Sequence, residues 1–163
     1  MEQKLPRGIR NNNPGNIRWG ENWLGLKQDG NEQDPSFCVF VSAVYGIRAL
    51  ARLLLNYQKL YGLNTPRKII SRYAPPSENQ TQAYIQSVAA QLGITPDGKV
   101  DLTEIGTLTV FIKAIIGMKT AYNLIQTKLF RKELHFYETE MDTNNRLDFM
   151  LRGIPQLRGC PVF

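Results

Sequence analysis

What most constrains this chain is a series of apolar stripes at helical spacing, each closed by its own stop signal. After Ser42, the residues Val44, Ile47, Leu50, Ala51, Leu54, Leu55 and Tyr57 recur every three or four positions. That repeat places side chains on one face of an α-helix. Gly62 supplies the stop, because glycine enters the left-handed C-cap conformation without steric cost. Thr65-Pro66 is an N-cap followed by a proline in the first turn, and it predicts a short helix through Tyr73. Ala74-Pro75-Pro76 ends it, since the residue before a proline avoids the helical region. A third helix starts at Asn79 or Thr81, buries Tyr84, Ile85, Val88, Ala89 and Leu92, and stops at Gly93. Thr95-Pro96-Asp97-Gly98 predicts a turn. Asp101 to Ile116 reads as a fourth helix, apolar enough near its end (VFIKAII) to be central in the core. Gly117 separates it from a fifth, Thr120 to about Tyr137. The fold class is mostly α.

The two ends read differently. Residues 7–35 are expected to be loop: RGIRNNNPGNIRWGENWLG is rich in asparagine, glycine and proline. Trp19 and Trp23, with Ile17 and Leu24, imply that this loop is packed. Phe37 to Val41 is a short apolar run, either a brief strand or an extended lead into the helix after it. Residues 141–163 carry Gly153, Pro155, Gly159 and Pro161 among isolated apolar side chains, and predict an irregular C-terminal arm suited to docking. The expected organisation is one helical domain over residues 1–140 and that arm over 141–163.

Composition narrows the function classes. A 163-residue chain with 42% hydrophobic residues has enough apolar material for one core. No stretch approaches the 18 apolar residues of a membrane span, and the first fifteen residues lack the apolar segment of a secretory signal. Cys38 and Cys160 follow no metal or redox spacing, and His135 is the one histidine. These do not make a zinc site or a patterned catalytic triad, so no metal and no cofactor is expected. The net charge of +6 is unevenly spread. Between Asp34 and Glu78 there is no acidic residue, but there are Arg48, Arg52, Lys59, Arg67, Lys68 and Arg72. Such a field suits a polyanion, either nucleic acid or an anionic cell-wall polymer, and it is equally what ordinary solvated helix faces produce.

Three groups of residues are candidates for chemistry. Glycosidic cleavage needs a protonated acid beside the leaving oxygen. Glu78 stands between a rigid Pro-Pro corner and a helix start, which would hold it at a reproducible position. In the same place it would also complement the helix dipole, which favours the charged carboxylate. The asparagine loop from Asn11 to Arg18 can offer amides to acetamido and hydroxyl groups of sugars, with tryptophans to stack on pyranose rings. The alternative is a turn whose asparagines cap their own backbone. Arg48, Arg52 and Lys59 share a helical face, as a phosphate-contacting stripe or as a solvated surface.

At these residues the chain resembles a family of small phage and prophage virion proteins associated with the lysozyme-like, lytic-transglycosylase type of fold. The resemblance is carried by RGIRNNNPGNIRWG, GLKQD, YGIRALARLLLNYQKLYGLNT and YAPPSENQTQAYIQSVAAQLGI, in order, over about residues 7–116. Pro76 to Val88 is similar to the late motif of soluble lytic transglycosylases, which carries over onto Glu78, Thr81, Tyr84 and Val88 and would point Tyr84 into the sugar cleft. Asn13–Gly20 weakly resembles the Asn-Leu-Phe-Gly loop of glucosaminidases. One departure is plain: those enzymes keep a catalytic glutamate upstream, often as Glu-Ser, and only Glu2 precedes the asparagine loop here. Glu78 or Glu21 would have to replace it, or the fold persists without the reaction.

The resemblance implies a lysozyme-like domain that cleaves the peptidoglycan backbone between N-acetylmuramic acid and N-acetylglucosamine, as a transglycosylase or a muramidase. Glu78 is the expected acid, with Tyr84 beside it. Asn13, Asn16, Arg18, Trp19, Arg48 and Thr81 are the expected substrate contacts. The protein would be made in the bacterial cytoplasm and act in the virion or at the host cell wall. Its partners would be glycan strands, and other virion proteins through residues 141–163. The competing expectation is a catalytically silent structural virion protein, and a weaker third is a DNA-binding factor.

Overall fold

The computed structural model describes residues 5–77 and 80–121, with side chains through Gly117. The chain divides into two units, 1–123 and 124–163, and the described residues all belong to the first. The expected arm over 141–163, the fifth helix beyond Ala121, His135 and Cys160 lie outside the described residues, as do Glu78 and Asn79.

Six helices are described: α1 (Arg7–Arg10), α2 (Gly30–Gln33), α3 (Ala43–Tyr61), α4 (Pro66–Tyr73), α5 (Thr81–Leu92) and α6 (Ile105–Ala121). The long ones follow the apolar spacing. In α3 the buried set Ile47, Leu50, Ala51 and Leu54 is the i, i+3, i+4, i+7 stripe. Ser42 precedes the helix in extended backbone, and its carbonyl accepts the Tyr45 and Gly46 N–H groups. Its side chain makes no cap bond. Gly62 closes the helix in the left-handed region, with the Gly62 N–H bonding the Gln58 carbonyl and the Leu63 N–H reaching back to Tyr57. Thr65 caps α4 by accepting the Lys68 N–H at 3.3 Å, and Pro66 occupies the first helical position. Gly93 ends α5 in the left-handed region.

Two expectations are corrected. The chain is helical through Gly117, where the spacing predicted a break. A glycine inside a helix costs only about 1 kcal/mol. Ile112, Ile115 and Ile116 are buried just before it, and each fully buried side chain of that size contributes roughly 1.5–3 kcal/mol, so packing outweighs propensity. The same helix begins at Ile105 rather than Asp101, because Asp101 folds into a turn in which its carboxylate accepts the Thr103 N–H and hydroxyl.

The long helices form a closed circuit: α3 packs on α4 and α6, and α5 packs on α4 and α6. Leu50, Leu54, Ile69, Ile70, Val88, Leu108, Phe111, Ile112 and Ile115 fill it, each fully buried or nearly so. No described helix is long and apolar enough to cross a membrane.

Residues 5–41 are built otherwise. The predicted loop contains the single-turn helices α1 and α2, and residues 37–41 run extended between two neighbours. Isolated antiparallel bridges pair Arg18 with Phe37 and Leu26 with Phe40. The Cys38 N–H bonds the Ile17 carbonyl, the Lys27 N–H bonds the Val39 carbonyl, and the Val41 N–H bonds the Gly25 carbonyl. The run is therefore not a regular strand but an extended lead into α3, bridged to two neighbouring segments. This region docks on the helices through close backbone approach. A Cβ at Gly46 would lie 2.1 Å from the Asn12 carbonyl oxygen, so only glycine lets the first turn of α3 meet that loop. The Tyr73 hydroxyl donates to the Gly15 carbonyl from α4.

Candidate functional site

The three consecutive asparagines explain how the loop keeps its shape. The Asn11 amide donates to the Asp34 carboxylate at 2.8 Å, and Asn12 donates to the Phe40 carbonyl at 3.1 Å. Asn13 donates to the carbonyls of Ile17 and Cys38, both at 2.9 Å, and its oxygen accepts the Ile17 N–H. Each side chain thus ties residues 11–17 to the segment 34–40. Asn12 and Asn16 both have positive φ, which asparagine tolerates better than most residues.

Asp34 is the hub of this half. It is buried, its Oδ1 accepts the N–H groups of Ser36 and Phe37 at 3.1 Å, and its Oδ2 faces Arg7 at 3.3 Å and Arg10 at 3.8 Å. Burial alone would push its pKa up. The hydrogen bonds from Asn11, Ser36 and Phe37, with the charge of Arg7, outweigh burial and hold it below the ordinary carboxylate value. The Asp34 carbonyl accepts the Trp19 indole N–H at 2.7 Å, which fixes that ring against Gly30.

These constraints shape a cleft of about 630 Å³ where the loop meets the helices. One wall is Gly15 to Glu21, with Trp23 and Phe37; the other is Leu53 and Tyr57 of α3, Arg72 and Tyr73 of α4, and Pro75. Arg7 and Arg18 each lie over the Phe37 ring, 4.7 and 4.8 Å from its centroid. Arg72 lies 3.9 Å from the Tyr61 centroid and 5.3 Å from that of Tyr57. Two buried polar atoms of lining residues, Asn16 Oδ1 and Trp23 Nε1, have no hydrogen-bond partner. Among the described lining residues, Glu21 is the one carboxylate.

The cleft therefore brings together Asn16, Arg18, Trp19 and Glu21 from the sequence-derived set. It does not bring in the others. Asn13 is fully buried with both amide donors and its acceptor spent on backbone, so its role is in the loop's own fold. Tyr84 is buried between α5 and α6, and its hydroxyl donates to the Ile115 carbonyl at 2.9 Å. The expectation that it points into a sugar cleft is corrected: its spacing with Ile85 and Val88 puts it on the core face of α5, and burial pushes its phenol well above the ordinary value. Thr81 is buried, its hydroxyl bonding the Ala74 carbonyl at 2.6 Å, and it borders a separate hollow of about 560 Å³ beside Arg67 and Gln80. Arg48 is half-buried on α3 and does not line the cleft. Glu78 lies outside the described residues, three positions beyond the lining residue Pro75.

Reading the sequence missed Tyr57, Arg72 and Tyr73. Tyr57 and Tyr61 stand four apart on one face of α3, and a basic residue in the last turn of α4 was available to meet them, but only the α3–α4 packing shows that they do. Cys38 is buried, its thiol pushed up to about 11 by desolvation, so it is a neutral core group at neutral pH. No group of three or more metal-ligating side chains occurs among the described residues.

The described residues define a mostly helical protein whose cleft is walled on one side by an irregular loop. Over 120 residues the chain is 41% identical to "Protein P5" of Pseudoalteromonas phage PM2, an alignment that covers 72% of each chain. The chain belongs to the family of that phage protein. No model of a known protein family matches it.

Proposed function

We propose that this is a virion-associated phage protein with a lysozyme-like domain that binds peptidoglycan glycan strands in the cleft and cuts them between N-acetylmuramic acid and N-acetylglucosamine. The observation that carries the reading is the lining itself: indole and phenol rings beside arginines and one carboxylate, in an open groove. Aromatic faces stack on pyranose rings, while amides and guanidinium groups bind their substituents. Glu21 or Glu78 protonates the leaving oxygen, Trp19 and Asn16 position the sugar, and Arg18 holds an anionic or acyl substituent. The membership in a phage protein family supports delivery by the virion.

The test is digestion of purified peptidoglycan by the full chain, with released muropeptides read by mass spectrometry. Anhydro-muramic ends identify a transglycosylase and reducing ends a hydrolase. Loss of release in Glu21→Gln or in Glu78→Gln, with folding intact, assigns the acid. No release by folded wild-type protein would sink the enzymatic reading. It would leave a second one, a silent structural virion protein on the same fold. The placement of Asn13 and Tyr84, both consumed by the fold, favours that reading.

A further inference from the structure

We propose that Arg72, seated on Tyr57 and Tyr61, makes the cleft a receptor for carboxylate groups, so that it takes an acidic glycan strand in preference to a neutral one of equal length. The inference rests on the reading of the cleft as a glycan site and adds which feature of the strand is read.

Arg72 occupies the last turn of α4, where a cation also complements the negative end of the helix dipole. Its guanidinium carbon lies 3.9 Å from the Tyr61 centroid, and the Tyr57 and Tyr61 rings meet edge to face with centroids 6.5 Å apart. The pair of rings is a platform that fixes the plane of the guanidinium. The face of that plane lies over Tyr61, one in-plane N–H donor is turned to the Tyr57 hydroxyl, and the remaining donors lie along the free edge. The Arg72 guanidinium carbon also lies 5.3 Å from the Tyr57 centroid, and its charge opposes the rise that burial gives the Tyr57 hydroxyl. No described carboxylate forms an ion pair with Arg72.

The surrounding field agrees. The helical wall of the cleft comes from a stretch, residues 35–77, without a single acidic residue. Across the cleft, Arg18 offsets Glu21. A fixed, flat fork of donors in a positive field matches a carboxylate in two-point geometry. A neutral acetylated strand offers only hydroxyl and amide groups, which gain nothing from the charge.

Two sources supply the carboxylate in peptidoglycan: the lactyl group of muramic acid, and the stem peptide. The experiment measures binding of the full chain by calorimetry to four probes. These are peptide-free glycan strands, the same strands with the lactyl carboxyl amidated, peptide-bearing strands, and a chitin oligosaccharide of matched length. A charge-assisted hydrogen-bond pair corresponds to about tenfold or more in affinity, so acidic strands are expected to bind at least that much more tightly than chitin. Arg72→Gln should weaken acidic strands at least about tenfold more than it weakens chitin, so that the preference disappears. Arg72→Lys, which keeps the charge but not the fork, should lose part of the preference, and it serves where the glutamine variant fails to fold.

Tighter binding of the peptide-free strand, lost on amidation, assigns the lactyl group; preference for the peptide-bearing strand assigns the stem. Equal affinity for chitin and acidic strands overturns the inference while leaving the cleft a glycan site. So does a preference that survives in whichever variant folds. No binding of any strand overturns the reading of the cleft and this inference with it.

Discussion

The two halves of the described structure are held together by different physics. Residues 42–117 are a circuit of helices whose interior is apolar, with Leu54, Phe111 and Ile115 fully buried. Residues 5–41 have a smaller apolar share and depend on a polar net in which Asn11, Asn13 and Asp34 are themselves buried. A helical core tolerates many apolar sequences, because its requirement is volume and spacing. A polar net has specific partners, and each lost partner strands a buried donor or acceptor. The cleft lies where the two meet, so one wall is a packed helix face and the other is a loop set by hydrogen bonds.

Substitutions can separate these contributions. The largest effect belongs to the helical core: Phe111→Ala should cost about 3–5 kcal/mol in urea unfolding, with secondary structure and cleft lost together. Asp34→Ala should cost roughly 3 kcal/mol by the same measure, because it strands the Asn11 amide, two backbone N–H groups and the Arg7 charge. Its signature differs, since Trp19 and Trp23 fluorescence should change while the helical circular dichroism persists. Equal loss of both signals would show that the halves fold as one. Gly46→Ala forces a methyl group against the Asn12 carbonyl and should cost about 1–3 kcal/mol. It should also expose Tyr73, whose bond to Gly15 depends on the same docking. Arg67→Ala removes an exposed ion pair with Asp97 and should leave the unfolding midpoint unchanged within error.

Acid adds a test of the same contrast. The folded pKa of Asp34 lies below its unfolded value of about 3.9, so its stabilisation is complete above that pH and is lost as pH falls through the lower, folded value. Acid titration of wild type should therefore loosen the tryptophan-bearing half first. Asp34→Ala should lack that step.

The contrast also explains what could be read from the residues alone. The α3 stripe, the Gly62 and Gly93 stops and the Thr65-Pro66 start were all legible, because they are local and periodic. The ends of α6 were not, since the packing of Ile112 and Ile115 overrides the propensity of Gly117, and the Asp101 turn depends on a side chain bonding its own neighbourhood. The candidate site was legible in part. Asn16, Arg18, Trp19 and Glu21 belong to one stretch of chain, and a stretch can be nominated from its composition. Asn13 was misassigned because a buried structural amide and a sugar-binding amide look alike until the partners, here the carbonyls of Ile17 and Cys38, are known. Arg72 reaches the cleft only through tertiary contact with α3, which no local pattern encodes.

The most direct test of the cleft's role uses the fact that the chain has two tryptophans, both on its wall. A proton–nitrogen correlation spectrum of the labelled full chain contains two indole signals, which can be followed as soluble peptide-free glycan strands are added. The account predicts that both move saturably. Both rings line the cleft, so the two signals should follow one saturation curve. Indole signals that stay in place at strand concentrations that saturate binding elsewhere on the protein would contradict it.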